Sequence, residues 1–401
     1  MEIITNYVVT FTVAVSIVIF TILLVLCKKS TKEPVKNKVE IEKTKYQYLL
    51  EFPSNYKFSQ SFLNDSFITM NPLYRKLNEY CKERGVYRNG VIVSLSGGVD
   101  SMVTFALLLH LQSINYFPIY TATIDYGLRT ESKDESEFIE MYTKQFNIKS
   151  YIVDINSITV LSRKKEDTLN SRTEFEEETR NIRFDTYKKI MTENKMNSET
   201  GVFVAHHMDD IVENIFTNSM RGANLLDLEV MKSMNRINGV MLFRPFLEFK
   251  KQTIYDFAHE YKIPYFKDTT PKWSKRGKMR NEIFPLLDNV FGTMWRDKLK
   301  QLGDQSNQWN DMITNYVINP WYDEIKFEQN HIMIPIKNHP KIIYMNIIMK
   351  ALHSIGLNML KRTSIEKIYE LSQLKACTKL VTLDGNRIAS LKNNHIVIVY
   401  K

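Results

Sequence analysis

Cysteine is scarce in this 401-residue chain: only Cys27, Cys81 and Cys377 occur, an odd number set far apart. That excludes a disulfide framework and any C-x-x-C metal or redox pair, and it places the main body in a reducing compartment. No internal repeat is present, so a repeat architecture is not expected. His206 and His207 have no third ligand at usable spacing, which argues against zinc. What the chain does have is 44% apolar and 25% charged residues, the balance of a globular protein, and a formal charge of +9. Such a field attracts polyanions, either nucleic acid or an anionic membrane, and charge alone does not choose between them.

From Tyr7 to Cys27 the chain runs 21 residues without an ionised side chain at neutral pH. At about 1.5 Å per residue a helix of that length crosses a hydrocarbon core of about 30 Å. Glu2 precedes the stretch and Lys28, Lys29 and Lys32 follow it, which is the reverse of a cleaved signal peptide. The expectation is a membrane anchor over residues 1–28, with a transmembrane helix at 7–27. The positive flank then makes this a single-pass membrane protein with its catalytic domain on the cytosolic side. Residues 28–45 carry seven lysines against three glutamates, a solvated linker able to lie near anionic headgroups. Linker and partly helical lead-in together occupy residues 29–89.

From Gly90 the pattern changes. Apolar, β-branched runs at Val91–Leu95, Ile119–Ile124, Tyr151–Ile155 and Val202–Ala205 alternate with helical stretches. Strands buried on both faces read this way, so residues 90–292 are expected to form an α/β domain with a doubly wound parallel sheet. Glu174–Met191 has helical spacing, with Phe175, Ile182, Phe184 and Tyr187 available for a buried stripe. Another helix is expected over Lys250–Tyr261, ending before Pro264. Beyond residue 292 helical content rises. Short strands at Lys379–Asp384 and His395–Tyr400 then flank the turn-like Asp384-Gly385-Asn386. Residues 293–401 are therefore expected to form a smaller helical/β domain on the substrate side.

The run from Val91 to Ser101 is a strand, a loop Ser96-Gly97-Gly98-Val99-Asp100-Ser101, and the start of an apolar helix. Glycines let a backbone approach an anion, and free N–H groups at a helix start can bind it. No Lys-Ser or Lys-Thr pair follows the glycines and no G-x-G-x-x-G is present, so neither a Walker A loop nor a dinucleotide fingerprint applies. Asp100 fits poorly beside phosphates unless it holds Mg²⁺ that bridges them.

The loop resembles the S-G-G-x-D-S loop of the N-type ATP pyrophosphatases, the PP-loop superfamily. Its neighbours narrow the resemblance to the tRNA(Ile)-lysidine synthetase family. Asp125-Tyr-Gly-Leu-Arg129 with Ser132 and Glu135 resembles that family's second-strand signature. Arg180 and Arg183 are similar to its A-R-x-x-R-Y helix, and Ala205-His-His-Met-Asp209-Asp210-Ile-Val-Glu213-Asn214 with Arg221-Gly222 to its A-H-H-x-D-D-Q-x-E-T and R-G pair. Arg244-Pro-Phe-Leu247, Asp268-Thr-Thr270 and Arg276-Gly-Lys-Met-Arg280 with Pro285 complete the order. Ile211, Asn214 and Gly277 depart from the pattern, where the family has Gln, Thr and Asn.

The resemblance implies ATP on residues Ser96, Gly97, Gly98, Val99, Asp100 and Ser101, Mg²⁺ on Asp100, and tRNA with free lysine as substrates. An anticodon cytidine would be adenylated and the lysine amine would displace AMP. Arg180, Arg183 and Arg280 would position or neutralise phosphates and RNA. Asp209, Asp210 and Glu213 would orient the lysine ammonium. Residues 250–280 hold nine basic and three acidic residues with Tyr261, Tyr265, Phe266 and Trp273 interleaved. This composition suits RNA or a solvated basic face over buried aromatics. Two other outcomes remain open: a tRNA thiolase, disfavoured by the lack of paired cysteines, and a non-catalytic nucleotide- or RNA-binding recruiter.

Overall fold

The structure, a computed structural model, describes residues 46, 50–51, 61–127, 131–155, 169–267, 274–374 and 380–400. The stretch Tyr7–Cys27 expected to span a membrane lies outside them. Among the described residues no helix is long and apolar enough to cross a membrane. The expectation of a single-pass membrane protein is corrected accordingly.

Six strands build the larger sheet: β1 (Val91–Ser94), β2 (Ile119–Asp125), β3 (Lys149–Asp154), β4 (Gly201–Phe203), β5 (Met234–Ile237) and β6 (Val240–Phe243). Their order is β3-β2-β1-β4-β6-β5. All neighbours run parallel except β5, which lies antiparallel on β6. The mostly parallel, doubly wound sheet is thus present, with one antiparallel edge. Val91 pairs with both Ile119 and Gly201, so β1 is the centre from which the chain winds both ways. In open α/β sheets the crevice outside the strands' carboxyl ends, at that change of direction, is where ligands bind.

The helices that matter are α1 (Pro72–Glu83), α2 (Val99–Asn115), α3 (Ser132–Lys144), α4 (Leu169–Glu193), α5 (Met208–Met220) and α6 (Lys251–Glu260). A helical run 275–291, α7, precedes α8 (Trp295–Ile313). Helix α2 is buried almost all round from Val99 to Leu111, as its nearly uninterrupted apolar sequence requires. Helix α4 covers one face of the sheet, where Phe184, Tyr187 and Ile190 pack with Ile92, Ala122 and Val202. Full burial of each large side chain there contributes about 1.5–3 kcal/mol.

The β5–β6 hairpin was absent from the sequence expectations, although Asn238-Gly239 at its turn has φ of 50° and 82°, the conformation that Asn-Gly favours in tight hairpins. The expected helix Glu174–Met191 falls within the longer α4.

A second sheet is wholly antiparallel, in the order β7 (Lys326–Glu328), β8 (His331–Pro335), β11 (His395–Tyr400), β10 (Arg387–Lys392), β9 (Val381–Thr382). With helices α9 (Lys341–Ser354) and α10 (Arg362–Ser372) it encloses its own core around Trp321, Ile334, Ile347, Ile368 and Ile398. Asp384-Gly385-Asn386 joins β9 to β10, and a second turn at Asn393-Asn394, both in the left-handed region, joins β10 to β11.

Candidate active site at the carboxyl ends of β1 and β4

Chain leaving β1 turns into α2 through Leu95–Gly98. Ser101 organises that turn from inside. Its Oγ accepts from the Ser96 N–H at 3.2 Å, lies 3.2 Å from Ser96 Oγ, and donates to the Gly98 carbonyl at 3.0 Å. Gly97 has φ of 79°, and a Cβ there would sit 2.0 Å from a ring carbon of Phe266, whose N–H donates to the Gly97 carbonyl at 2.9 Å. Only glycine meets both conditions. Gly98 caps α2 with ordinary backbone angles and no side-chain cap, leaving the positive end of a long helix open to an anion.

Beside this loop, β4 ends and α5 begins, and His207 joins the two. The His207 ring is fully buried. Its Nε2 lies 3.6 Å from Asp100 Oδ1 and 3.3 Å from Asp210 Oδ2, and its Nδ1 lies 3.6 Å from Asp209 Oδ2. Asp210 also accepts from the His207 N–H at 3.1 Å, closing a capping box at the start of α5. Asp100 Oδ1 is buried without a hydrogen-bond partner, while its Oδ2 faces Lys251 Nζ at 3.4 Å. Asp209 accepts from the Lys251 N–H at 2.8 Å and so fixes the start of α6.

One turn into α5, Glu213 stands beside Asp210, and both carboxylates are buried. Two arginines four residues apart on α7 meet them, as i,i+4 spacing puts both on one face. Arg276 donates to Asp210 at 2.6 Å and to Glu213 at 3.0 Å. Arg280 donates to Asp210 at 3.3 Å and, in a very short contact, to Glu213. Arg280 lies in a π-helical turn, Met279–Ile283, a distortion that re-aims side chains and frequently marks functional positions. The Arg276 side chain is 56% exposed and that of Arg280 25%. Burial alone would raise the Asp210 carboxyl. The charges of His207 and Arg276 outweigh it and hold the group below the usual carboxylate range.

His206 points the other way. Burial pushes its imidazole down to about 4, so at neutral pH it is uncharged and its Nδ1 accepts from Arg244 Nε at 3.1 Å. Arg244, itself buried, also donates to the Lys232 carbonyl and to Asn235. It thereby ties β6 and the β5 edge to the end of β4.

The structure brings Asp100, Asp209, Asp210, Glu213 and Arg280 into one cluster with the loop Ser96–Ser101. Arg180 and Arg183 stand apart on α4: Arg180 is exposed over the Phe184 ring at 5.8 Å, and neither makes an ion pair among the described residues. The Tyr187 hydroxyl one turn on donates to Ser94 at the end of β1, so α4 does face the strand ends. Lys251 was not singled out from sequence, and His207 and Arg276 were named there without a catalytic role. The i,i+4 pairing of Arg276 with Arg280 was a readable signal, whereas Lys251 stands among many basic residues. Of the aromatics between Lys250 and Arg280, Tyr261, Tyr265 and Phe266 are buried. These three rings are therefore not offered to bases. Trp273, together with Asp268-Thr269-Thr270, lies outside the described residues.

Comparison with known proteins adds four findings. The PP-loop domain family matches residues 70–287. The chain is 27% identical over 293 residues to the tRNA(Ile)-lysidine synthase of Staphylococcus aureus (strain MRSA252), covering 72% of this chain and 63% of that protein. It is 32% identical over 202 residues to that of Thermosipho africanus (strain TCF52B), covering 50% of this chain and 44% of the relative. The chain thus spans less than two thirds of the length of these curated relatives. Among solved structures it is similar to a U34-tRNA thiolase from Methanococcus maripaludis, with a TM-score of 0.46 and 18% identity over 63% of this chain and 80% of that one.

Proposed function

The chain belongs to the PP-loop domain family, and from that premise we propose that it is an ATP-dependent ligase that joins free lysine to a cytidine of tRNA through an adenylated base. The observation that carries this reading is the junction at His207, where one buried ring lies between the phosphate-loop carboxylate Asp100 and Asp210, and Asp210 in turn shares Arg276 with Glu213. An ATP site and a site for a cationic nucleophile are thereby contiguous, as two-step activation and displacement require.

In the first step the cytosine C2 oxygen bonds to the α-phosphorus, and the bond to pyrophosphate breaks. Backbone N–H groups at the start of α2 and the Ser96–Ser101 loop would hold the phosphates. Asp100 fits Mg²⁺: its Oδ1 is a buried oxygen that makes no hydrogen bond. Among the described residues no cluster of three ligands exists, so Asp100 would share the ion with phosphate oxygens. The ion would supply charge neutralisation on the phosphates. In the second step the lysine ammonium first gives up a proton to solvent; the freed amine attacks C2, the C2–O bond breaks with its electron pair leaving on AMP, and the new C–N nitrogen loses its extra proton to solvent.

Asp210 and Glu213 suit the ammonium of lysine because they are two buried carboxylates side by side on α5, with Asp210 held below the usual carboxylate range. Arg276 and Arg280 hold them in this structure, and the more exposed Arg276 is the one an incoming ammonium would displace. Arg180 and Arg183 would serve the nucleotide or RNA from α4. The thiolase alternative gains nothing from the thiol in view, since Cys81 is buried and burial pushes its pKa up.

The test is AMP release from radiolabelled ATP with Mg²⁺, bulk tRNA and lysine, each omitted in turn. AMP formed only with both tRNA and lysine supports ligation. ATP binding without AMP in any combination favours a non-catalytic recruiter.

A further inference from the structure

The Ser96–Ser101 loop has no lysine of its own, and its hydroxyls are neutral and turned toward each other. An ATP-splitting site must still offset the charge that gathers on pyrophosphate as it departs. We infer that Lys251, from the start of α6 and far away in sequence, is the phosphate-binding cation of this site. This inference rests on the ATP reading above and adds a residue to it.

Lys251 is the basic lysine or arginine paired with Asp100 among the described residues, with Nζ 3.4 Å from Oδ2. Its backbone is fixed, because its N–H donates to Asp209 at 2.8 Å. Its side chain passes Tyr255, with Nζ 5.6 Å from the ring centre. The two partners remain partly open to solvent, 24% and 23% exposed, and a single contact of that length is weak. The ammonium is therefore held at the loop yet loosely enough to exchange a carboxylate oxygen for a phosphate oxygen on its flexible stem. When the bond between the α-phosphorus and the bridging oxygen breaks, the electron pair stays on pyrophosphate, and Lys251 stabilises that oxyanion without giving up its proton.

The experiment measures binding of inorganic pyrophosphate with Mg²⁺, and of AMP, to the full chain by calorimetry, for the wild type, Lys251→Met and Lys251→Arg. The expected result is pyrophosphate affinity about tenfold or more weaker in Lys251→Met, the scale of one charge-assisted contact. AMP affinity should not change, and Lys251→Arg should recover part of the loss. In the wild type, acetylation of Lys251 read by peptide mass should be blocked by pyrophosphate and not by AMP, which tests the inference even if a variant fails to fold. Equal loss of pyrophosphate and AMP binding, or Lys251 acetylated equally with and without pyrophosphate, overturns the inference. Wild-type protein that binds neither ATP nor pyrophosphate overturns the ATP reading and the inference with it.

Discussion

Replacing Arg276 by Gln tests whether its guanidinium occupies the place of an incoming ammonium. Arg276 makes two contacts with the carboxylate pair, at 2.6 Å and 3.0 Å, but with its side chain 56% exposed solvent screens both. Exposed pairs contribute about 0.2–1 kcal/mol. An amine that displaces Arg276 loses that amount, so its removal should tighten lysine binding by up to about fivefold. Arg280 still holds one side of both carboxylates, so the pair is not left bare. Equilibrium dialysis of radiolabelled lysine, at fixed ionic strength and without RNA, reads the effect directly. Unchanged or weaker lysine binding in Arg276→Gln would refute the reasoning, because Arg276 would then be part of the wall that shapes the site.

Asp100→Ala should abolish AMP formation while leaving the far-ultraviolet circular dichroism unchanged, and retained turnover would remove Asp100 from the metal role. Gly97→Ala should cost about 2–4 kcal/mol in thermal unfolding, from left-handed backbone strain and the collision with Phe266. Gly98→Ala, where a Cβ meets only Ser96 Oγ at 3.5 Å, should be near neutral, and equal costs would contradict the loop geometry. His206 titrates at about 4 when folded against about 6.5 unfolded. Between those values the unfolded chain binds a proton the native one does not. Stability is therefore complete above about pH 6.5 and should fall by up to about 2–3 kcal/mol as pH drops toward 4. Urea unfolding across that window should show this slope, and His206→Gln should flatten it. Asp210, held below the usual range, adds a further loss only as pH falls below about 3.9.

Much of the larger sheet could be read directly. Val91–Leu95, Ile119–Ile124 and Val202–Ala205 are short β-branched runs between helices, and strands buried on both faces have few other ways to look. The edge hairpin β5–β6 was harder to see, because Met234–Ile237 mixes Asn and Arg into the strand and carries no alternation. The same holds for β10, whose Arg387 is buried by pairing with Asp384 and the Asn358 carbonyl, a partnership invisible along the chain. The stretch Tyr7–Cys27 shows the opposite hazard. Its apolar length and its lysine flank carried the membrane expectation, and no helix among the described residues supplies a span.

For the site, local sequence determined what is local: the glycine at 97, the serines that tie the loop, the carboxylates placed on one face of α5 by their three-residue spacing. These follow from bond geometry and helix periodicity, which the chain carries in any context. Which charges meet was decided by tertiary structure alone. Arg276 and Arg280 reach Asp210 and Glu213 across more than sixty residues, and Lys251 reaches Asp100 across 151. Ion pairing depends on distance through space and on burial, and the winding order of β1, β4 and β6 is what brings these segments to one crevice.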